Sequence, residues 1–207
     1  MDTVPDTFSF GGQNLTTESY DPEGAKQVLE EAGWVDSDGD GIREKDGQDL
    51  VIRWLTYPSR QELPLLAESA QATLKEIGMG VQVNCTSDNN TIRKDPTLWD
   101  VYASAMVTAP TGDPQYFFTS CALDSSVSNN GHYHSDKLEE LAAEIEKEFD
   151  TEKRSELGIQ MQQTVLDDHA YVFCSHLKMS MIMQSNVTGL VAHPCDYYEL
   201  TADLDIN

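Results

Sequence analysis

Asp36-Ser-Asp-Gly-Asp-Gly-Ile-Arg-Glu-Lys-Asp-Gly47 is the stretch on which the fold turns. An EF-hand loop carries oxygen ligands at its positions 1, 3, 5, 7 and 9, a glycine at 6 and a bidentate glutamate at 12, and it lies between two helices. Asp36, Asp38, Asp40 and Gly41 fit the first half of that pattern and make the three aspartates candidate calcium ligands. Position 12 is Gly47, which offers no carboxylate. The residues that follow, Leu50-Val-Ile-Arg-Trp-Leu-Thr56, are β-formers where an EF-hand needs its second helix. The other reading is a tight solvated turn in which the aspartates bond their own backbone and the glycines take positive φ. The first reading makes a calcium-dependent module; the second makes a helix-to-strand connector in an α/β protein.

Working outward, Asp21-Pro22 followed by Ala25, Val28, Leu29 and Ala32 predicts a helix with an aspartate cap, proline in its first turn and Gly33 as its stop. A second helix is expected over 59–77, with Pro64 in its first turn, Leu66, Ala70 and Leu74 on one face, and Gly78 beyond its end. Strands are expected at 50–56, 81–85 and 99–107, and strand, helix, strand in succession argues for α/β packing. Ala109-Pro-Thr-Gly-Asp-Pro114 is a turn-rich loop, followed by an apolar turn at Tyr116, Phe117 and Phe118. Helices are predicted over 135–148 and 152–168, burying Leu138, Leu141, Ala142 and Ile145 and then Leu157, Met161 and Val165. Strands are predicted at 170–174, 179–183 and 197–204. No repeat or interdomain linker interrupts the chain, which reads as a single lobe over 1–207.

The 207 residues suffice for a real core. A formal charge of −23, from 36 acidic and 13 basic residues, repels nucleic acid and anionic membranes. No apolar run reaches the length of a membrane span. The start, Met1-Asp-Thr-Val-Pro-Asp-Thr7, lacks the basic and apolar regions of a signal peptide, the pattern of a cytosolic chain or of a piece of a longer precursor. Cys85, Cys121, Cys174 and Cys195 are widely spaced and are expected as partly buried free thiols.

Catalytic signatures are missing. There is no phosphate-cradling glycine loop and no G-x-S-x-G elbow, and the acidic pairs Asp167-Asp168 and Glu139-Glu140 read as helix surface. His132 and His134 would share one face if their segment were extended, which makes them candidate transition-metal ligands. In a polar loop, Tyr133 would instead pack inward with both imidazoles in water. His193 is a loop residue, and His169 and His176 flank Tyr171-Val-Phe173.

Several motifs occur together in one order: Tyr20-Asp-Pro-Glu-Gly-Ala-Lys-Gln-Val-Leu-Glu-Glu-Ala-Gly-Trp34, the acidic turn, Leu66-Ala-Glu-Ser-Ala-Gln-Ala-Thr-Leu-Lys-Glu-Ile-Gly78, Trp99-Asp100, Gly112-Asp-Pro114 and Glu152-Lys-Arg154. Together they resemble the C-terminal half of the solute-binding proteins (family 5) that serve ABC importers of peptides, nickel and metallophores. The resemblance implies an α/β, type II periplasmic-binding-protein-like C-terminal lobe, a mixed sheet flanked by helices, with no catalytic role. It also implies a preceding N-terminal lobe, since members are about twice as long, and a location outside the cytoplasmic membrane, in the periplasm or held by a lipid anchor. ABC permease subunits are the implied partners. Because the cleft lies between lobes, this chain alone is expected to bind its solute weakly.

Peptide-type members carry an aspartate before Gly-Asp-Pro that pairs with the ligand's ammonium group; the matching residue here is Pro110. Ala109-Pro110 is similar to the nickel-type loop, as is Tyr57-Pro-Ser-Arg60-Gln-Glu-Leu-Pro64, although Val107, Thr108 and Thr111 depart from the aromatic residues of that branch. The resemblance thus points to nickel or a metal chelate as the solute, with a peptide as the alternative and no further cofactor required. Tyr57, Arg60, Thr108 and Thr111 are the expected cleft residues, Arg60 offering a bidentate fork to a chelator's carboxylate. The competing classes are the calcium module and a carboxylate-based hydrolase.

Overall fold

Asp21 opens the first helix as its place before Pro22 predicts: in the computed structural model, which describes residues 9–177, 180–191 and 201–207, its side chain accepts from the Gly24 amide at 2.9 Å. Helix α1 runs Pro22–Glu31 and ends at Gly33, whose φ of +88° only glycine adopts without strain. The chain divides into two compact units: a sheet unit, Glu18–Met106 with Asn130–His132, and a helical unit made of the remainder.

In the sheet unit, the acidic turn leads from α1 into a hairpin of β1 (Glu44–Lys45) and β2 (Gln48–Asp49). Its two-residue loop is Asp46-Gly47, both at positive φ (+54° and +76°), the geometry for which Asp-Gly is selected. Gly47, the twelfth residue of the calcium reading, is therefore a hairpin residue. β3 (Val51–Thr56) forms the middle of a parallel sheet of order β4-β3-β5, paired along its whole length with β4 (Gly80–Cys85) and briefly with β5 (Val101–Tyr102). Helix α2 (Glu62–Lys75) makes the crossover between β3 and β4 and buries Leu63 and Ala67, and a single turn, α3 (Asn89–Ile92), follows β4. The α/β expectation is met. The strand expected over 99–107 is shorter: Ala103 donates to the Leu55 carbonyl at 2.9 Å, and two residues on, the Ala105 amide turns to the Tyr57 hydroxyl at 3.2 Å and leaves the sheet.

Two arginines lock this unit. Arg43, buried, donates from Nε to the Ile77 carbonyl (2.8 Å), from Nη1 to the Trp34 carbonyl (2.9 Å) and from Nη2 to Glu30 (3.1 Å), so it joins the ends of α1 and α2 to the hairpin. Gly78 has a φ of +84°, and a Cβ there would lie 2.7 Å from the Arg43 Cγ. Arg53 clasps Asp100 through Nε at 2.9 Å and Nη2 at 2.6 Å, and also reaches the Thr97 carbonyl. That clasp holds the Asp100 carboxyl below its ordinary pKa and explains the Trp99-Asp100 motif as a pin for the start of β5.

In the helical unit, the apolar run at 116–118 is the start of a short helix, α4 (Tyr116–Cys121), and not a turn. Phe117 and Phe118 point into a core shared with α5 (Asp136–Ile145) and α6 (Thr151–Asp167). Asp150 caps α6 by accepting from the amides of Glu152 and Lys153. Tyr171 and Phe173 pack edge-on against Phe117 at 5.4 Å while Val172 between them is exposed, so this segment has strand-like alternation. It makes no ladder among the described residues, and the strand expected at 170–174 is absent. Residues 180–183 and 201–204 are likewise not strands; Met179, the 197–200 part of the last predicted strand, His193 and Cys195 lie outside the described residues. A short antiparallel pair, β6 (Val187–Thr188) with β7 (Asp205–Ile206), was not foreseen. Cys85, Cys121 and Cys174 are free thiols, but only Cys121 is buried.

Candidate ligand-binding site

The cleft residues expected from sequence lie on two loops, one in each unit. In the sheet unit, the loop from β3 to α2 leaves the carboxyl end of a parallel sheet, where α/β proteins gather ligands. Tyr57 is half-buried, with its hydroxyl taken by the Ala105 amide and its ring 6.4 Å from Tyr102. Tyr102 in turn stands 6.0 Å from Trp99, and its hydroxyl accepts from the side-chain Nδ2 of the buried Asn89 at 2.9 Å. Tyr57 is thus a strut between the exits of β3 and β5 as well as a surface. Sequence reasoning passed over Tyr102 and Asn89; the aromatic spacing Trp99-x-x-Tyr102 was the available signal. Arg60 is exposed at the turn before α2, and its side chain has no hydrogen bond or ion pair among the described residues. Its backbone carbonyl accepts the Leu63 amide at 3.2 Å.

In the helical unit, Gly112 at φ +74° closes a turn by donating to the Ala109 carbonyl at 3.1 Å. Thr108 and Pro110 are half-buried and Thr111 is exposed. Asp113 starts α4: one oxygen accepts the Gln115 amide at 2.9 Å and the other pairs with Arg154 at 2.8 Å. Neither Ala109, Pro110 nor Thr111 brings a charge to the loop.

The histidine segment is not extended. His132 has a φ of +52°, so the every-second-residue argument for a shared face does not apply. Tyr133 packs inward and donates to Asp168 at 2.6 Å, and burial, then that bond, pushes its pKa up to about 12. His134 lies between two carboxylates, Nδ1 at 3.0 Å from Asp124 and Nε2 at 3.2 Å from Asp136, so a metal would have to displace one of them. The hydrogen bond to Asp124, above all, raises the His134 pKa. Its contribution to stability is complete below the ordinary histidine value of about 6.5 and is lost as pH rises through the raised folded value. By NMR titration the folded pKa of His134 is expected to lie above the ordinary histidine value and Asp124→Asn to lower it; no change in the variant would refute the assignment.

Asp36, Asp38 and Asp40 bring carboxylate oxygens within 4.8 Å of one another, all exposed. Those carboxylates already cap the turn: Asp36 accepts from Gly39 (2.7 Å) and Gly41 (3.0 Å), Asp38 from Asp40 (3.1 Å) and Asp40 from Ile42 (2.8 Å). Glu44, at the ninth position, accepts from the Ser37 amide at 2.7 Å. Self-capping of this kind builds a connector between α1 and the hairpin.

Relatives agree with this architecture. The oligopeptide-binding protein AppA of Bacillus subtilis is 28% identical over 178 residues, 84% of this chain and 33% of its own length. The nickel-binding protein NikA of Staphylococcus aureus is 26% identical over 142 residues, 67% of this chain and 28% of its own length. Among solved structures, a nickel ABC transporter protein from Bacillus halodurans superposes with a TM-score of 0.69 at 26% identity, covering 81% of this chain and 34% of that one. The matched stretch of this chain spans about a third of the length of these relatives. With residues 1–129 matching the family's own model, the chain belongs to the bacterial extracellular solute-binding proteins, family 5.

Proposed function

We propose that this chain is part of a receptor that captures a hydrophilic solute for an ABC importer, and that the solute is nickel or another metal held in a small carboxylate-rich chelate. The observation that carries the reading is on the loop from β3 to α2, where Arg60 is exposed and its side chain has no hydrogen bond or ion pair among the described residues; separately, the Ala109-Pro110-Thr111 segment of the helical unit carries no charge. An arginine fork suits a carboxylate, whereas a peptide's ammonium group needs an acid that position 110 lacks. Tyr57, Thr108 and Thr111 supply the remaining apolar and hydroxyl surface. His132 and His134 have no necessary part, because the chelator and not the protein saturates the metal. The working receptor contains a further lobe, sits on the outer face of the cytoplasmic membrane and delivers to permease subunits.

An oligopeptide is the second reading, favoured by the similarity to AppA over most of this chain. Calorimetric titration of the two-lobed protein with nickel bound to histidine, and separately with short peptides, decides between them. Arg60→Ala is expected to weaken chelate binding at least about tenfold, or roughly 1.4 kcal/mol. Unchanged affinity removes Arg60 from the site, and tight peptide binding with none for the chelate replaces the first reading by the second.

A further inference from the structure

We infer that Arg154, together with Gly158 one turn along α6, is the positioning residue for the Thr108–Pro114 loop, and that it sets solute affinity by holding that loop in place. The inference rests on the proposed role of Thr108 and Thr111.

Arg154 is mostly buried and divides its guanidinium between two tasks. Nη1 donates to the carbonyls of Ile145 (2.6 Å) and Glu148 (3.0 Å), which fixes it to the corner between α5 and α6. Nη2 donates to Asp113 (2.8 Å) and to the Gln115 side-chain carbonyl (3.2 Å), both on the loop side. A planar fork anchored through one nitrogen leaves the other little freedom, so Asp113 is held in direction as well as distance. Gly158, four residues on, lies on the same helical face. A Cβ there would stand 2.6 Å from the Pro114 Cβ, so the proline ring occupies a notch that only glycine leaves. Charge clamp and steric notch therefore seize consecutive residues, Asp113 and Pro114. Upstream, the loop's own backbone bond is Gly112 to Ala109, which makes 109–112 one small turn attached directly to the clamp. A shift of Asp113 is carried to Thr111 at once.

The structural alternative is that Arg154 only staples the α5–α6 corner. Two variants separate the ideas, since Asp113→Asn removes the charge that holds the loop side of the clamp, leaving only the longer Gln115 contact, and spares the corner, while Arg154→Met removes both sides. Amide exchange followed by NMR on this chain is expected to quicken about tenfold at Gly112 and Gln115 in both variants, with the amides of β3 and β4 unchanged. Exchange that quickens only at 145–150, or not at all, overturns the clamp. In the two-lobed protein, Asp113→Asn is expected to weaken binding of nickel–histidine about fivefold, and adding Arg154→Met to weaken it little more, as for two ends of one interaction. A loosened loop with unchanged affinity, in a protein where Thr111→Ala does weaken binding, overturns the link to the solute. If Thr111→Ala is silent as well, the fault lies in the proposed function and the clamp stands.

Discussion

Arg43→Met lowers the stability of the sheet unit by about 3 kcal/mol, a melting shift of roughly 6–12 °C for a chain of this size. Methionine keeps the apolar stem in place and removes the guanidinium, so the loss is of hydrogen bonding rather than of packing. The carbonyls of Ile77 and Trp34 belong to the ends of helices, where no intrahelical donor is available, and Arg43 serves both. A hydrogen bond from a charged donor contributes about 1.5–3 kcal/mol, and two such acceptors left bare set the magnitude. Glu30 adds little, since it is largely exposed and its pairing is screened. Arg43→Lys is not expected to rescue, because one ammonium cannot reach two carbonyls on either side of a planar fork. All three tryptophans, Trp34, Trp54 and Trp99, are in this unit, so tryptophan fluorescence follows its transition directly. A shift below about 2 °C would mean that water satisfies both carbonyls in the variant.

What the sequence revealed and what it concealed follow from the range of the forces involved. Local signals were legible: Asp21-Pro22 and Gly33 set helix ends through bonds spanning a few residues, and they appear where expected. The 50–56 and 81–85 strands were legible because β-branched residues crowd them. The 99–107 strand was overestimated because its end depends on Tyr57, some fifty residues away, which no periodicity reports. The 170–174 segment has the alternation of a strand, and alternation says which side chains face the core without saying whether another strand lies alongside. Asp46-Gly47 carries a readable hairpin signal, but Gly47 is also the twelfth position of the calcium-loop pattern, so one residue belongs to two competing motifs. At the candidate site, Arg60 was legible as a cation at the end of a parallel strand. Arg154 was not, because its partner Asp113 lies 41 residues earlier and only the fold brings them to 2.8 Å.

Phe118→Ala removes about 4 kcal/mol from the helical unit, the largest effect expected of any single substitution considered. Phe118 is completely buried, stands edge-to-face with Phe117 at 5.4 Å, and faces a core built from α5 and α6. Its backbone carbonyl accepts from the Ala122 amide at 2.8 Å and the Ser126 hydroxyl at 2.9 Å, so the turn that follows α4 is fixed to it and cannot collapse freely into the space left by the ring. A cavity that its surroundings cannot fill carries the full cost of lost contacts. Tryptophan fluorescence is blind to this unit, and far-ultraviolet circular dichroism is the measure, with a fall in melting temperature of about 8–16 °C. Alkali gives a second measure: burial pushes Tyr133 and Tyr171 up to about 12, so the folded unit retains protons that the unfolded chain releases near 10, and stability falls as pH rises through that window. The variant, starting from a smaller reserve, should therefore release its tyrosines at lower pH than the parent chain. Because only Gln115, the N-cap of α4, separates that helix from Pro114, the substitution also frees the downstream end of the Thr108–Pro114 loop, and exchange at Gln115 should quicken even with the Arg154 clamp intact. A melting shift under about 4 °C, with the tyrosine titration unmoved, would show that the α5–α6 pair holds this core without α4.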